Sequence, residues 1–294
     1  MNHATDSHGR PIENGRLLVR GQDRTGIVAS VSTMLTEVGA NIVSLHQYST
    51  GAEGGQFFQR TEFHLPQLSE RLDELHERLD KTVSQELGLV WELIENRLPK
   101  RLAIFVSKAD HCLLDLLWRD RRGEVNVDIT MVISNHPDLG DDVRGFGIPF
   151  WHVPVPKGGK AAAEERHLEL LQGNVDLVVL ARYMQIISGD FLERVGAPVI
   201  NIHHSFLPSF IGAGPYQKAK DRGVKLIGAT AHYVTEDLDE GPIIEQDVIR
   251  VGHDNSAIDL ARRGANVERQ VLARAVIWHC DDRVLRNGNT TVVF

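Results

Sequence analysis

The stretch VDLVVLARYMQIISGDFLERVGAPVINIHH (residues 175–204) holds two short apolar runs, VDLVVLA (175–181) and APVINIHH (197–204). Both runs are nearly continuous rather than alternating, which is typical of strands that are covered on both faces of a parallel sheet. Three similar runs, LAIFVS, VDITMVIS and FWHVPV, precede them, and helical stretches at 109–121 and 161–172 lie between several of the runs. This pattern predicts a doubly wound, mostly parallel α/β domain whose ligands gather beyond the carboxyl ends of the strands.

The first hundred residues follow a different pattern. Strand-like runs occur in RLLVRG, NIVSLHQYST, QFFQRTEFHL and LVWELIE. The segment GIVASVSTMLTEVGA (26–40) carries its apolar residues at helical spacing, and SERLDELHERLDKTVSQELG (69–88) predicts a second, surface helix. The order β-α-β-β-α-β predicts an antiparallel sheet with both helices on one face. The proline and charges of NRLPKR (96–101) predict the junction to the next domain.

The composition restricts the class of protein. A chain of 294 residues with 42% hydrophobic residues is long enough for two globular domains. Its formal net charge of -8 argues against nucleic acid as the main partner. The two cysteines, Cys112 and Cys280, provide no disulfide framework. We find no signal peptide and no apolar segment long enough for a bilayer, so we expect a cytoplasmic protein with no membrane partner.

Polar side chains end the run at 197–204. Alternation along a strand places Asn201 and His203 on one side and His204 on the other. The downstream segment 228–244 adds further titratable groups, namely His232, Glu236, Asp237, Asp239 and Glu240. A carboxylate from that segment would orient His203 and set its protonation state, which predicts a catalytic site. The alternative is that His203 only closes a strand and the acidic segment is solvated.

Other kinds of site fit these residues less well. His203, His204, His232 and Asp239 are metal-ligand types, but the chain has no His-Glu-x-x-His motif and no cysteine cluster, so we expect no metal. Ser205 lacks the Gly-x-Ser-x-Gly elbow of a hydrolase nucleophile. SFLPSFIGAGPY lacks the third glycine of a dinucleotide site, and KGGK lacks the spacing of a P-loop.

Two motifs resemble the formyltransferase fold of folate-dependent enzymes, which include glycinamide ribonucleotide transformylase. They are N-x-H-x-S-x-L-P at 201–208 and GATAHYVTEDLDEGPI at 228–243. The family signature is an Asn, a His two residues later and an Asp in a D-x-G-P loop. The resemblance therefore implies that Asn201, His203 and Asp239 are the catalytic residues.

A third segment, LARYMQII (180–187), resembles the part of these enzymes that lines the pterin pocket. The resemblance implies that the pterin ring lies against 180–187 and the 235–241 loop. It implies the following substrate-binding residues: Arg182, Tyr183, Met184, Ile186, Ile187, His232, Thr235 and Gly241.

The segment GQDRTGIVASVSTMLTEVGANI (21–42) closely resembles an ACT domain, a βαββαβ, ferredoxin-like regulatory module that often binds amino acids and dimerises. An ACT domain joined to a formyltransferase-like domain is the architecture of the formyltetrahydrofolate deformylases. We therefore expect a disordered or extended N-terminus (1–14), an ACT-like regulatory and oligomerisation domain (15–97) and a formyltransferase-like catalytic domain (98–294).

The resemblance also implies regulation. Glycine and methionine are the amino-acid effectors that we consider, because both report on one-carbon supply. The usual effector loop corresponds to Gly39, Ala40 and Asn41, and pairing of the ACT-like domains would give a homo-oligomer. The alternative is that this domain only joins subunits.

One segment bears on the acceptor of the formyl group. Glycinamide ribonucleotide transformylases hold a phosphate on a glycine-rich loop after the first strand, but this chain has Lys108, Ala109, Asp110 and His111 there. An aspartate would repel a phosphate. Water needs no pocket of its own, which favours hydrolysis over transfer. The resemblance then implies the hydrolysis of 10-formyltetrahydrofolate to tetrahydrofolate and formate. This hydrolase would control one-carbon and formate supply for purine biosynthesis, with folate as substrate and no cofactor.

Two alternatives remain open at this point: a formyltransferase that uses an amine acceptor, and a non-catalytic amino-acid sensor. There is also one departure from the family pattern. Gly214 in GAGPY stands where the family has a larger polar residue, which predicts a more mobile loop and a lost contact near the site.

Overall fold

The computed structural model describes residues 14–95, 99–209 and 214–294. The chain divides into two compact units, one before Pro99 and one from Pro99 to Val293. The expected N-terminal segment 1–14 lies almost wholly outside the described residues, as does the centre of the NRLPKR junction. The expected domain boundaries therefore stay predictions.

The first unit has the predicted order β-α-β-β-α-β. Its elements are β1 (Asn14–Gln22), α1 (Ile27–Glu37), β2 (Asn41–Ser49), β3 (Gln56–His64), α2 (Leu72–Leu79) and β4 (Val90–Glu95). The sheet order is β2-β3-β1-β4, and every neighbouring pair is antiparallel. The predicted surface helix at 69–88 is in three pieces, because a 3-10 turn precedes α2 and a π-helical segment, Asp80–Glu86, follows it. The apolar faces of both helices and the sheet form one buried cluster.

The second unit is the predicted doubly wound α/β domain. Its first elements are β5 (Lys100–Val106), α3 (His111–Arg121), β6 (Val127–Ser134), α4 (Gly140–Gly145), β7 (Phe150–His152), α5 (Lys160–Leu171) and β8 (Leu177–Leu180). The chain continues with α6 (Gly189–Arg194), β9 (Val199–His203), α7 (Pro215–Arg222), β10 (Leu226–Tyr233), β11 (Ile243–Arg250), α8 (Ala257–Cys280), β12 (Val284–Asn287) and β13 (Thr290–Val293).

The seven-stranded sheet has the order β11-β10-β9-β8-β5-β6-β7. The pairs from β9 to β7 are parallel, and β10 and β11 add antiparallel strands at one edge. The chain reverses its direction of winding between β5 and β8, so a crevice opens there at the carboxyl ends of the strands. Ile104 of β5 packs in one apolar cluster with α3 and α8, whereas Phe105 packs in the other with α5. This double burial explains the continuous apolar runs.

One expectation for this unit needs correction. The run FWHVPV forms a strand only at Phe150–His152, because Pro154 and Pro156 have no N–H to continue the ladder. The chain ends in a hairpin of β12 and β13. Within the described ranges, none of the helices is both long and apolar enough to cross a membrane.

Candidate active site

The end of β9 and the neighbouring β10 position the two residues at the centre of the site. Leu180 of β8 pairs with Asn201, and on the other side Asn201 pairs with His232 of β10. His203 is the last residue of β9 and is 6% exposed. The β-ladder therefore brings an amide and two imidazole rings to the carboxyl end of the sheet, where the crevice opens.

Asp239 reaches His203 from the loop between β10 and β11. Its Oδ1 lies 3.2 Å from His203 Nδ1 and 3.8 Å from His232 Nε2. The hydrogen bond with His203 lowers the pKa of the Asp239 carboxyl group, although burial opposes this effect. An ionised carboxylate only accepts hydrogen bonds, so His203 carries a proton on Nδ1. The other ring nitrogen, His203 Nε2, is buried and has no hydrogen-bond partner among the described residues.

Asn201 is oriented by a short chain of hydrogen bonds. His232 Nδ1 lies 3.0 Å from the carbonyl oxygen of Tyr233, so Nδ1 donates and Nε2 keeps a lone pair. Asn201 Nδ2 is 3.2 Å from His232 Nε2 and donates to it. Burial lowers the pKa of His232, which keeps its ring neutral and able to accept this bond. One N–H of the Asn201 amide is thus used, and the second is left to bind a ligand.

A cavity of about 320 Å³ lies beside these groups. Asn201, His203 and Asp239 line it, together with every expected substrate-binding residue except Gly241. Met184 and Ile186 line this cavity and are more than half exposed. Exposed apolar side chains in a cavity are typical of a ligand-binding surface.

Gly241 is not among the residues that line this cavity, and its substrate-binding role stays a prediction. A Cβ atom at this position would lie 1.8 Å from the carbonyl oxygen of Tyr233. Glycine is therefore required for the close approach of the 235–241 loop to β10, which delivers Asp239.

Two site residues have left-handed backbone conformations, which are unfavourable for residues other than glycine. The φ angles are 65° at Arg182 and 59° at Asp239. Such conformations persist only where surrounding contacts hold them, and they cluster at functional sites.

Sequence reasoning missed the support beneath the 182–187 segment. Ser107 Oγ donates to Asn135 Oδ1 at 2.7 Å and accepts the backbone N–H of Met184 at 2.9 Å. Ser107 is the last residue of the predicted run LAIFVS and Asn135 directly follows the run VDITMVIS, so their position at the carboxyl ends of β5 and β6 was a usable signal.

His204 does not point away from the cavity as alternation predicted. It lies just beyond the last residue of β9, where the alternation ends, and its ring lines the same cavity as His203. Burial, with the charge of Arg182, lowers the pKa of His204 to about 4, so the ring is neutral near pH 7.

The remaining predicted positions lie on other elements. Gly39 and Ala40 lie in the turn between α1 and β2 in the first unit, Asn41 is the first residue of β2, and Gly39 has φ 80°. Asp110 is the N-cap of α3 and makes no side-chain capping bond. His111 Nε2 lies 2.7 Å from Glu268 Oε2 of α8.

Gly214 immediately precedes α7 and has φ 67°, a backbone conformation that suits glycine. The two residues of GAGPY that precede Gly214, Gly212 and Ala213, lie outside the described residues.

The metal-ligand atoms that lie closest together are not those of the catalytic set. In the part of the chain that the structure describes, His111, Cys112 and Glu268 have such atoms within 4.8 Å of one another. Burial raises the pKa of the Cys112 thiol well above its usual value, and Arg182 Nε lies 3.4 Å from Glu268 Oε2. A neutral thiol and a resident guanidinium do not suit a cation.

Comparison with known proteins gives consistent results for both units. The Formyl transferase family model matches residues 100–276, and the ACT domain model matches residues 15–80. The chain is 61% identical over 280 residues to formyltetrahydrofolate deformylase of Mycobacterium tuberculosis, covering 95% of this chain and 90% of that one. It is 50% identical over 283 residues to the Bacillus subtilis protein of the same name, with coverage of 96% and 94%. A crystal structure of a formyltetrahydrofolate deformylase from Pseudomonas syringae superposes with a TM-score of 0.91 at 45% identity, covering 96% and 95% of the two chains.

Proposed function

Since this chain belongs to the formyltetrahydrofolate deformylase family, we propose that Asn201, His203 and Asp239 carry out its reaction. The protein is a hydrolase that converts 10-formyltetrahydrofolate and water to tetrahydrofolate and formate. The observation that supports these roles is a buried His203 that is bonded to Asp239 through Nδ1 and has a free Nε2 at the cavity.

His203 acts first as a base and then as an acid. With its proton on Nδ1, the neutral ring presents the lone pair of Nε2 to a water molecule. The water oxygen forms a bond to the formyl carbon while Nε2 takes one of its protons. The imidazolium that results is stabilised by the adjacent negative charge of Asp239, which is 3.2 Å away.

Asn201 stabilises the tetrahedral intermediate. Attack of water places negative charge on the former formyl oxygen, and donors that are already oriented lower the energy of that state. His232 fixes one N–H of the Asn201 amide, so the other is held ready for the oxyanion without further reorganisation. His203 then gives its proton to N10, the bond between carbon and N10 breaks, and formic acid loses its remaining proton to solvent.

No step in this mechanism needs a metal or a redox cofactor, because protein groups supply the base, the acid and the oxyanion donor. The pterin and its benzoyl extension would lie against the apolar residues Met184 and Ile186 and the 235–239 backbone. The large exposed fractions of these two side chains in the free protein support this placement, since binding would cover them.

The test of this proposal is formate release by the purified protein from 10-formyltetrahydrofolate with no amine present. We expect formate and tetrahydrofolate in equal amounts. His203→Ala should abolish release, while His204→Ala, a change at the neighbouring ring that has no bond to Asp239, should have a smaller effect. Equal losses in both variants would contradict the assigned roles.

We also propose that the ACT-like unit controls the rate. A glycine or methionine molecule would bind at Gly39, Ala40 and Asn41, between the paired units of a homo-oligomer in the cytoplasm. Control of this kind would match formate supply for purine biosynthesis to one-carbon status. Formate release measured with and without each amino acid tests this proposal. In the variant Gly39→Val, the amino acid should no longer change the rate. An effect that survives this substitution would place the effector elsewhere.

A further inference from the structure

A buried hydroxyl group on β10 holds the backbone that follows β9. Thr230 is 0% exposed, and its Oγ1 donates to the carbonyl oxygen of Ser205 at 2.9 Å. The same oxygen accepts the backbone N–H of Leu207 at 3.0 Å and Nε2 of Gln246 at 2.9 Å. A hydroxyl group offers one donor and two acceptor positions, so this one is fully used. We call residues 205–207 the post-strand segment.

These bonds begin where the ladder between β9 and β10 ends. Thr230 and His203 are Cα partners in this antiparallel pairing, and His203 is the last residue of β9. Past this pair, the side chain of Thr230 continues the connection by holding Ser205 and Leu207. A side chain of β10 thus fixes the backbone on the carboxyl side of His203.

One face of β10 supports the site at two points. Thr230 and His232 are two residues apart and therefore share a face. Ala229 and Ala231 point the other way and pack in the apolar core. His232 orients the amide of Asn201, as described above, and Thr230 holds the segment that follows His203. Both supports therefore act on the polar end of β9.

Two more contacts hold the post-strand segment. The side-chain amide of Gln246 on β11 donates to the carbonyl oxygen of Leu207 at 3.1 Å as well as to Thr230. A Cβ atom at Gly228 of β10 would lie 3.3 Å from the Cβ of Phe206, so this part of the segment packs directly on the strand. The segment is thus bound to β10 and β11 by packing and by hydrogen bonds.

We infer that Thr230 is a positioning residue for the hydrolysis, because its hydroxyl group fixes the post-strand segment and thereby holds His203 in place against Asp239. This inference rests on the proposed function. His203 lies on β9 and Asp239 on the loop between β10 and β11, so a shift of the end of β9 would change the 3.2 Å contact between them. A displacement of about 1 Å at a catalytic group can cost about a hundredfold in rate. Gln246 is a second support that acts through Thr230.

The test separates the hydroxyl group of Thr230 from the packing of its side chain. Thr230→Val keeps the branched shape but removes a partner of the Ser205 carbonyl oxygen and of the Leu207 N–H. Thr230→Ser keeps the hydroxyl group and loses a methyl group. Thr130→Val is the matched control, because Thr130 Oγ1 of β6 also donates to a backbone carbonyl oxygen, that of Leu102, at 3.3 Å.

The measured quantities are kcat per folded protein and KM for 10-formyltetrahydrofolate, at a temperature below the lowest Tm of the set. Thr230→Val should lower kcat about ten- to a hundredfold and leave KM within about twofold of the wild-type value. Thr230→Ser and Thr130→Val should keep kcat near the wild-type value. Gln246→Leu, which removes one of the three bonds to Thr230 Oγ1, should lower kcat by a smaller factor.

A role in packing alone would reverse the order of the two Thr230 variants, because valine fills the site and serine does not. A lower kcat for Thr230→Ser than for Thr230→Val, or an unchanged kcat in Thr230→Val, would therefore overturn the inference. If Thr230→Val does not fold, Gln246→Leu decides, and an unchanged kcat in that variant would overturn the inference. Failure of the wild type to release formate would instead reject the proposed function.

Discussion

The pair of His203 and Asp239 would do two things that a single histidine could not. Asp239 fixes the proton on Nδ1, and in the proposed mechanism its charge stabilises the imidazolium that forms when water is deprotonated. It reaches this position from a left-handed backbone at φ 59°. The unfavourable backbone and the lowered pKa of the Asp239 carboxyl group occur at the same residue, as expected where function rather than stability selects the arrangement.

Asp239→Asn should lower kcat for formate release by about 10²- to 10⁴-fold, because the amide carries no charge to stabilise the imidazolium. Asp237→Asn, in the same loop but exposed, is the matched control and should stay near the wild-type rate. Steady-state kinetics on both variants checks this. If Asp237→Asn lost as much activity as Asp239→Asn, the loop charge as a whole would be responsible.

His232→Phe should leave the Asn201 amide without its fixed partner, since phenylalanine cannot accept the hydrogen bond. We expect kcat to fall by about ten- to a hundredfold, somewhat less than the loss of an oxyanion donor itself, with little change in KM. His232→Gln, which restores an acceptor oxygen, should recover part of the rate. A change confined to KM, or no recovery with glutamine, would show that His232 contacts the substrate instead.

At the residue scale, sequence reasoning identifies Asn201, His203 and Asp239 because their types and spacing form a motif. The roles of these residues still stay proposals. His204 was misplaced because strand alternation was extended one residue too far. Glu268 was missed, although a charged residue on the apolar stripe of α8, between Val267 and Val271, was a readable signal.

At the scale of elements, the loop from β10 to β11 depends on one close contact. Gly241→Ala would place a methyl group 1.8 Å from the Tyr233 carbonyl oxygen, and the loop that carries Asp239 would have to move. We expect both a lower Tm and a lower kcat. Gly145→Ala, at a helical position with open space around the added atom, is the matched control. Differential scanning calorimetry and the formate assay check this, and an unchanged kcat in Gly241→Ala would contradict it.

Helix α5 carries a second testable feature, the buried His167. Its ring packs edge-to-face on Phe105, Tyr183 and Phe191, and neither ring nitrogen has a hydrogen-bond partner among the described residues. Burial lowers the pKa of His167 to about 4. The unfolded chain, with a histidine pKa of about 6.5, therefore binds a proton before the folded state does.

The consequence is a loss of stability on acidification. Above about pH 6.5, His167 is neutral in both states and the free energy of unfolding does not depend on its titration. Between about pH 6.5 and 4 the unfolded chain binds the proton and the folded state does not, so the free energy of unfolding falls by up to about 3 kcal/mol. His167→Phe, which keeps the aromatic packing, should remove this component of the pH dependence. Urea unfolding at several pH values compares the two proteins. Parallel curves for wild type and variant would contradict the assignment.

Element type was well predicted because the signals are local: continuous apolar runs for the parallel strands and helical spacing for α1. The break of the 69–88 helix into three pieces was not predicted, because the leucine spacing persists through it while the turn geometry changes. Close approaches such as that of Gly241 also escape prediction, since they depend on which backbone lies opposite.

At the scale of the whole molecule, the strand order β9-β8-β5 explains why the site forms. It brings Asn201 and His203, Arg182 and His111 to neighbouring strand ends, although β5 and β9 are nearly a hundred residues apart in sequence. Composition and periodicity predict the class of fold but not this order. The resemblance provided the architecture, and the comparisons confirm the family.

The central claim is that water, activated by His203, is the acceptor of the formyl group. The most direct measurement is a single turnover of 10-formyltetrahydrofolate by excess protein in heavy-oxygen water with no amine present, followed by mass spectrometry of the formate. We predict one heavy oxygen atom in each formate, released together with tetrahydrofolate, and no formate with His203→Ala. Formate without the label, or a formyl group that stays on the folate until an amine is added, would contradict the account.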